Sequence, residues 1–344
     1  MKNTITILGA GAWGTAVATH LAANEHDVIL WCYESEVVDE IQTNHTNTHF
    51  LPNISLSHKI KASCSFQEAL SASDWVFEAV PVKFLREILN QAKPYVKKTQ
   101  KWVILSKGIE QETLLLPAGI VSEVLGASTE IAIIGGPNFA KELAEQCYTA
   151  TMIASKNQNI ARELSLLLEN NYLKTYIIDD ITGVQVGGAL KNLFTIAMGI
   201  AIGSGCKENT RAYLVTKSLE EMAKISLHLG GRSETIYGLA GFGDLFLSCT
   251  GTLSKNLKMG KMLGQGHLLS DISTQLTTLP EGINTLQSIK SLIKKYNLNL
   301  PICSGTYDFV YEGKSFKNLL YNLMDYDLEV NTVTSSINKR SCIL

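Results

Sequence analysis

The chain begins with an apolar, β-branched run that passes through a glycine-rich turn into a helical pattern. Thr4 to Leu8 alternate as a strand does, the turn reads GAGAWG, and TAVATHLAAN follows with helical spacing. In such a turn Gly9 permits the sharp bend, Gly11 lets the backbone approach a pyrophosphate, and Gly14 lets helix and strand pack closely. A glycine turn made only for packing is the alternative. The order of strand, turn and helix predicts a dinucleotide site.

Strand and helix patterns then alternate through the first half of the chain. The later strand patterns are Val28–Trp31, DWVFEAVP, WVILSKG, IAIIGG and Thr175–Ile178, with helical patterns such as VKFLREILNQAKPYV between them. This alternation predicts an α/β fold with a Rossmann-like, doubly wound sheet that binds ligands at the carboxyl ends of its strands. Pro81 and Lys107 stand at such ends. So does Gly135–Asn138, where we expect Pro137 near the first turn of a helix that points N–H groups into the crevice.

The residues after the second strand bear on the choice of dinucleotide. Cys32, Tyr33 and Glu34 follow that strand directly. An acidic residue at the strand's end binds the ribose hydroxyls of NAD, whereas an arginine accommodates the extra phosphate of NADP. Glu34 lies slightly beyond the end of the strand and no arginine is present, so the sequence leaves NAD and NADP both open. Tyr33 is expected beside the adenine.

The longest apolar run, from Gly183 to Gly205, is interrupted by Lys191. A run of about 20 apolar residues is long enough to span a bilayer. However, Gln185, Lys191 and Asn192 fall in its first half and no basic residues flank it, which favours a helix buried within the protein. A buried ammonium needs a partner or a cleft; the alternative is a lysine whose head reaches water while its stem is buried.

After Asp179–Asp180 the pattern changes from alternating strands and helices to helices alone. We therefore predict a dinucleotide-binding domain over residues 1–180 and an all-helical substrate and catalytic domain over residues 181–344. A second helix of this domain is expected from Arg211 to Leu229, ending at Gly230–Gly231, since glycine commonly ends helices.

Two polar stretches follow in the second half. Gly238, Gly241 and Gly243 precede Asp244, which suggests a backbone folded tightly against a ligand or against the first domain. Asp244 could instead be a helix cap. The stretch Ser254–Asn256 joins a hydroxyl, a cation and an amide that together could hold a phosphate, and its alternative interpretation is a polar helix start.

Composition limits the possible partners and the compartment. A formal net charge of -2 provides no basic field for nucleic acid and no broad attraction to a membrane, so we expect neither nucleic-acid binding nor stable membrane insertion. Seven cysteines without a C-x-x-C pair suit a reducing cytoplasm. His45 and His49 lie among Asn and Thr without an acidic partner, so no metal site is expected.

Several motifs in one order connect the chain to a known family. They are GAGAWGTA, SKGIE, GGPNFAKE, GVQVGGALKN, NTRAYLVTKSLEEM, GLAGFGDL, SKN and PEG. Together they cover nearly the whole chain, which resembles the bacterial, soluble NAD(P)-dependent glycerol-3-phosphate dehydrogenases. The resemblance implies a Rossmann-like domain, an all-helical domain with the active site between them, a homodimer, and a cytoplasmic enzyme that supplies glycerol 3-phosphate for phospholipid synthesis.

The resemblance also implies roles for individual residues. The implied catalytic residues are Lys191, as proton donor or acceptor, with Asn192 and Asp244. The implied substrate-binding residues are Lys107, Gly136, Asn138, Asp244, Ser254, Lys255 and Asn256. The implied cofactor-binding residues are Gly9, Gly11, Ala12, Trp13, Gly14, Tyr33, Lys107, Ala140, Lys255, Leu279 and Glu281.

Five positions depart from the family's usual pattern. Ala12 replaces a serine, Asn138 a serine or threonine, and Val82 a serine, while Glu78 enters a strand that is normally apolar. Lys255 replaces an arginine. A lysine keeps the charge but loses the bidentate fork that matches a phosphate, so we expect weaker binding of phosphate.

Two alternatives to the predicted interconversion of dihydroxyacetone phosphate and sn-glycerol 3-phosphate stay open on sequence alone. One is a two-domain hydroxy-acid dehydrogenase of another substrate, such as a relative of ketopantoate reductase or 3-hydroxyisobutyrate dehydrogenase. The other is a protein that binds nicotinamide nucleotide as a sensor without turnover. An oxidoreductase predicts consumption of a phosphorylated substrate, whereas the sensor predicts binding alone.

Overall fold

The first part of the chain forms one eight-stranded sheet. A computed structural model describes residues 2–275 and 280–321. The strands are β1 Thr4–Leu8, β2 Asp27–Trp31, β3 Ile60–Ser63, β4 Trp75–Glu78, β5 Lys101–Ile104, β6 Glu130–Gly135, β7 Thr149–Ala154 and β8 Leu173–Ile178. Their order in the sheet is β3-β2-β1-β4-β5-β6-β7-β8. Neighbouring strands are parallel except for β6 and β7, which pair antiparallel.

Helices cover both faces of this sheet. They are α1 Ala12–Ala23, α2 Ser35–Asn44, α3 Phe66–Ser71, α4 Val82–Ala92, α5 Pro117–Leu125, α6 Ala140–Ala144 and α7 Gln158–Leu168, with a 3-10 turn at Lys93–Tyr95. Buried side chains of α1, α2 and α7 form one core with the sheet, and those of α3, α4 and α5 form another. The predicted doubly wound, Rossmann-like architecture is confirmed.

The second part of the chain consists of helices and their connections, with no strand among its described residues. Its helices are α8 Ile181–Gly203, α9 Glu208–His228, α10 Ser233–Ile236, α11 Asp244–Thr250, α12 Lys255–Gly264, α13 Leu269–Gln275, α14 Glu281–Tyr296 and α15 Pro301–Glu312, with a π turn at Leu239–Gly243 and further helical residues at 316–321. β8 ends at Ile178 and α8 begins at Ile181, with the Asp180 carboxylate accepting a hydrogen bond from the Gly183 N–H at 2.9 Å. The division at residues 180 and 181 stays a prediction.

Helix α8 is the axis of the second part. It is long and apolar enough to cross a membrane by length and composition, yet 89% of its most apolar window is buried inside the molecule. The helices α9, α11, α12, α14 and α15 pack around it. The expectation of a helix buried within the protein is therefore confirmed.

The contact between α8 and α12 depends on glycines from both helices. A Cβ added to Gly199 would lie 2.7 Å from the Cα of Gly260, and one added to Gly203 would lie 2.2 Å from the carbonyl oxygen of Lys261. From the other side, a Cβ on Gly264 would lie 2.3 Å from the carbonyl oxygen of Ile200. The two backbones therefore approach more closely than helices with ordinary side chains can.

One local prediction is wrong. The strand β6 ends at Gly135 as expected, but the next helix, α6, begins at Ala140, so Pro137 precedes it by three residues. The intervening segment is held by hydrogen bonds to β7: the Asn138 amide donates to the Thr151 hydroxyl at 3.2 Å. The Thr149 hydroxyl also donates to the carbonyl oxygen of Pro137 at 3.2 Å. This bond satisfies a backbone acceptor that a helical turn would otherwise use, and the segment stays non-helical.

Candidate active site

A cleft lies where the carboxyl ends of neighbouring strands meet the second part of the chain. The turns after β1, β4 and β5 line one side because these strands are adjacent, and α8 and the start of α14 line the other. The cavity has a volume of about 260 Å³. Among the residues predicted for the site, it brings together Ala12, Trp13, Lys107, Asn138, Ala140, Lys191, Asn192 and Glu281.

The glycine turn at one end of the cleft has the geometry that a pyrophosphate needs. Gly9 has a positive φ of 111°, and a Cβ on Gly14 would lie 2.0 Å from the carbonyl oxygen of Gly9. By contrast, a Cβ on Gly11 would meet nothing within 4 Å, so open space lies in front of the N-terminus of α1, where no side chain caps the helix. The residues present therefore fit a dinucleotide, whose phosphate oxygens would accept hydrogen bonds from the free N–H groups of this helix.

Lys191 projects from α8 into the cleft and is held there by two partners. Its Nζ donates to the Asp244 carboxylate at 2.7 Å and to the Ser248 hydroxyl at 2.9 Å. Lys191 is 9% exposed and Asp244 is completely buried. An ammonium has three N–H donors, so one remains for an oxygen atom in the cleft.

Lys107, just beyond β5, approaches the same carboxylate from the sheet. Its Nζ donates to Asp244 at 2.5 Å and to the carbonyl oxygen of Gly136 at 3.5 Å. Gly188 on α8 makes room for this side chain, since a Cβ there would lie 3.3 Å from the Lys107 stem. Burial lowers the pKa of Lys107; the nearby charge of Asp244 opposes that change and the charge of Lys191 adds to it. One buried carboxylate thus joins two lysines from different parts of the chain.

Close backbone packing places Asp244 at this point. The π turn Leu239–Gly243 precedes it, and a Cβ on Gly187 of α8 would lie 2.4 Å from a carbonyl oxygen of that turn. A Cβ added to Gly243, the last glycine of the turn, would lie 3.6 Å from the ring of Pro137 in the sheet part. The N-cap of α11 is Gly243, Asp244 is the first residue of the helix, and its carboxylate oxygens bond to Lys107 and Lys191. The glycines therefore pack the turn against α8 and the sheet part, and the helix-cap alternative for Asp244 is wrong.

The stretch at the start of α12 divides into different environments. Ser254 is the N-cap of the helix, and its hydroxyl accepts a hydrogen bond from the Leu257 N–H at 3.2 Å. Asn256 donates to the Asn192 side chain at 3.1 Å. Lys255 is exposed. The structure therefore connects Asn256 to the neighbour of Lys191, while the Ser254 hydroxyl is used by the helix itself.

Glu281 adds an acidic group to the cleft at the first turn of α14. Burial raises its pKa to about 7, against the opposing effect of the charges on Lys107 and Lys191. The neighbouring prediction, Leu279, lies outside the described residues. Asn138 and Ala140 line the cleft from the segment before α6 and from its first residue.

Tyr33 lies apart from the cleft. It follows β2 and is 76% exposed. In a Rossmann-like sheet the end of β2 is where the adenosine half of a dinucleotide lies, so this position suits the predicted contact with adenine. That contact stays a prediction.

Three polar residues at the site were not predicted from the sequence. Ser248 is one helical turn after Asp244 and bonds to Lys191, so the i, i+4 spacing was a usable signal. Ser106 lines the cleft and donates to the buried Glu78 carboxylate at 2.6 Å. Glu78 was noted only as an unusual residue in a strand, because nothing in the local pattern indicates which residue its carboxylate contacts.

A Rossmann-like sheet with a free helix N-terminus, joined to a helical part that carries a lysine in the cleft, defines a two-domain nicotinamide-dependent dehydrogenase. Two family models, the N-terminus and the C-terminus of NAD-dependent glycerol-3-phosphate dehydrogenase, match residues 4–161 and 180–321. The chain belongs to this family. Its cofactor is therefore NAD or NADP.

Curated relatives and a solved structure agree with this assignment. A glycerol-3-phosphate dehydrogenase (NAD(P)+) of Citrifermentans bemidjiense is 37% identical over 97% of this chain and 100% of its own length. One from Bacillus pumilus is 37% identical over 93% of each chain. The crystal structure of glycerol-3-phosphate dehydrogenase from Coxiella burnetii has a TM-score of 0.90 at 32% identity, over 94% of this chain and 99% of that one.

Proposed function

We propose that the protein interconverts dihydroxyacetone phosphate and sn-glycerol 3-phosphate by hydride transfer with NAD or NADP. The observation that carries the proposal is the pair of lysines bridged by Asp244: Lys191 and Lys107 bond to opposite oxygens of one buried carboxylate. These three groups together carry one net positive charge, which Glu281 on the other side of the cleft offsets only when its carboxyl group is ionised. Such a site attracts an anionic substrate and stabilises negative charge that develops on it.

In this proposal the chemistry of the protein centres on Lys191. When bound, the nicotinamide supplies or accepts the hydride. Negative charge that develops on the carbonyl oxygen is stabilised by the free N–H of Lys191, which then donates a proton to that oxygen. In the reverse direction the neutral amine accepts the hydroxyl proton. Asp244 and Ser248 fix the direction of Nζ, and the bond between Asn192 and Asn256 ties α8 to the start of α12.

The phosphate end of the substrate is proposed to lie at the N-terminus of α12. This ten-residue helix presents its positive end and the exposed Lys255 at that point. Asn256 is the second residue of the helix, and its side chain donates a hydrogen bond to Asn192. Asn138 lines the cleft from the sheet part, and the carbonyl oxygen of Gly136 lies 3.5 Å from Lys107 Nζ. Ser254 acts through the helix, which it caps, rather than by direct contact.

The reaction is tested by following loss of the reduced nicotinamide absorbance with purified protein and dihydroxyacetone phosphate. NADH and NADPH are used in parallel, and unphosphorylated dihydroxyacetone is the matched control. We expect oxidation that requires the phosphate. Equal oxidation with the unphosphorylated ketone, or cofactor binding without any oxidation, would contradict the proposal and favour another dehydrogenase substrate or the sensor.

For the cofactor, we propose a preference for NAD. Residues 32–44 follow β2 and contain no lysine or arginine, whereas Glu34 and Glu36 are both exposed there. Carboxylates suit ribose hydroxyls and repel the additional phosphate of NADP. We expect kcat/KM for NADH to exceed that for NADPH, and Glu34→Arg to reduce this ratio; a higher value with NADPH for the wild-type protein would reject the proposal.

We further propose that the enzyme acts in the cytoplasm as a homodimer and supplies sn-glycerol 3-phosphate for phospholipid synthesis. The cysteines support a reducing compartment, since the six in the described residues are all free. Sedimentation of the purified protein tests the oligomeric state, and a monomeric mass at assay concentration would contradict the dimer. Complementation of a bacterial strain that requires glycerol 3-phosphate tests the metabolic role.

A further inference from the structure

Glu78 is a buried acid that the proposed reaction does not use. It is the last residue of β4, is completely buried, and among the described residues forms no ion pair with a cation. Its neighbours in the sheet register are Leu8 on β1 and Ile104 on β5. A carboxyl group without a cationic partner is costly to bury unless other groups hold it or it keeps its proton.

Both carboxyl oxygens of Glu78 accept hydrogen bonds from residues that line the cleft. One accepts a hydrogen bond from the Val80 N–H at 2.7 Å and the other from the Ser106 hydroxyl at 2.6 Å. Val80 lies in the turn between β4 and α4, and Ser106 immediately precedes Lys107. The carboxyl group therefore lies directly behind two segments that form one wall of the cleft.

The charge state of Glu78 is coupled to charges within the cleft. Burial raises its pKa to about 7 against the opposing hydrogen bonds from Ser106 and Val80, and the negative charge of Glu281, which lines the cleft from α14, contributes a smaller part of this increase. Coupling of this kind is reciprocal. A positive charge placed in the cleft must favour the ionised form of Glu78, and ionised Glu78 must favour that positive charge.

We propose that ionised Glu78 acts from behind the cleft wall to favour the oxidised over the reduced nicotinamide cofactor. The oxidised nicotinamide ring carries a positive charge and the reduced ring is neutral, so a buried carboxylate discriminates between them. The proposal concerns the cofactor, and it depends on the proposed position of the nicotinamide in this cleft. Glu78 is a positioning residue for the wall and a specificity residue for redox state.

The test compares Kd values for NAD+ and NADH in the wild-type protein and in Glu78→Gln, without substrate, from about pH 6 to about pH 8.5. Glutamine keeps an acceptor for Val80 and a group that can bond to Ser106, but it cannot ionise. We expect the wild-type preference for NAD+ to increase about threefold or more over this range, and the increase to be smaller in the variant. Glu281, Lys107 and Lys191 also line the cleft and Asp244 bonds to both lysines, but both proteins contain these four groups.

Glu221→Gln is the matched control, because burial also raises the pKa of Glu221 to about 7 but its carboxylate bonds to α15. This control should keep the wild-type dependence on pH. The same increase in Glu78→Gln as in the wild type would overturn the inference. Failure to bind either dinucleotide in the wild type would instead reject the proposed function.

A measurement on the wild-type protein alone covers the case in which Glu78→Gln does not fold. Carbon-13 labelling of glutamate carboxyl groups lets NMR follow the titration of buried carboxyls. We expect NAD+ to lower the pKa of Glu78 and NADH to leave it unchanged. Equal effects of the two dinucleotides would overturn the inference.

Discussion

At the scale of single residues, the site depends on one carboxylate with two cationic partners. Asp244 is fully buried and binds Lys191 and Lys107 with separate oxygens. Removal of one partner of a buried ion pair usually costs more than the pair contributes, because the remaining charge is left uncompensated. Here the second lysine still compensates the carboxylate, so either lysine can be replaced with less risk to folding.

The first prediction concerns Lys191. We expect Lys191→Ala to reduce kcat by about 100-fold or more, because a positioned general acid contributes at least that factor. NADH binding, measured by fluorescence, should be retained. Ser248→Ala removes only one of the two groups that orient Nζ and should reduce kcat by about 3- to 10-fold, in line with one hydrogen bond. Retention of more than about a tenth of the rate in Lys191→Ala would exclude the general-acid role.

The second prediction concerns Lys255. An arginine at this exposed position adds two parallel donors that match a phosphate. We therefore expect Lys255→Arg to lower KM for dihydroxyacetone phosphate, with little change in kcat. The matched control is Lys258→Arg, which alters an exposed lysine one turn further along α12. An unchanged or higher KM in Lys255→Arg would reject the contact with the phosphate.

At the scale of elements, the glycine contact between α8 and α12 fixes the distance between the two ends of the proposed substrate site. Lys191 lies on α8, and Lys255 and Asn256 begin α12. The contacts of Gly199, Gly203, Gly260 and Gly264 lie further along the same two helices. Backbone packing therefore sets how far the proposed proton donor lies from the proposed phosphate contacts.

The third prediction tests this contact. A Cβ on Gly260 would lie 2.3 Å from the carbonyl oxygen of Ile196, which a rigid helix backbone cannot relieve. We expect Gly260→Ala to destabilise the protein by about 1–3 kcal/mol and to reduce kcat/KM, since the helices must separate. Gly119→Ala in α5 is the control: its nearest contact, 3.3 Å away, is the flexible end of Leu115. Gly119→Ala should leave the folding stability unchanged or increase it by at most about 1 kcal/mol. Equal thermal denaturation midpoints for the two variants would contradict the prediction.

Elements with a strong local signal could be predicted from the sequence, and contacts between distant segments could not. The strand Thr4–Leu8, the glycine turn and the buried helix around Lys191 all follow from local patterns. The start of α6 could not be predicted, because it depends on hydrogen bonds between Asn138 and β7. Likewise, the sequence indicated that a buried Lys191 needs a partner or a cleft, but only the fold reveals that Lys107 lies against Gly188 and shares the Asp244 carboxylate with Lys191.

At the scale of the whole molecule, buried acids make stability depend on pH. Glu221 on α9 is 2% exposed, and its carboxylate accepts hydrogen bonds from the Ile302 N–H at 2.6 Å and the Cys303 N–H at 3.0 Å. Burial nevertheless raises its pKa from 4.5 to about 7. Between these two pKa values the folded protein binds more protons than the unfolded chain, so folding stability decreases as pH rises.

The fourth prediction follows from that sign. Between about pH 6 and about pH 8, Glu221 should reduce the free energy of unfolding by about 1.4 kcal/mol. Glu221→Gln should remove this part of the dependence, although it also loses one hydrogen bond at the start of α15. Urea denaturation of both proteins at the two pH values provides the comparison. An identical dependence on pH in both would show that Glu221 does not titrate there.

The glycines between α8 and α12 also limit how this protein can evolve. Where two side chains touch, a larger residue on one helix can be offset by a smaller one on the other. Glycine has no smaller replacement, so a change at Gly199 or Gly260 finds no compensation across the contact. Single substitutions at these glycines are therefore not tolerated by the packing, whereas the exposed side chain of Lys255 can be replaced without disturbing it. Selection can therefore change the proposed contact with the phosphate while the distance between that contact and the proposed proton donor stays fixed.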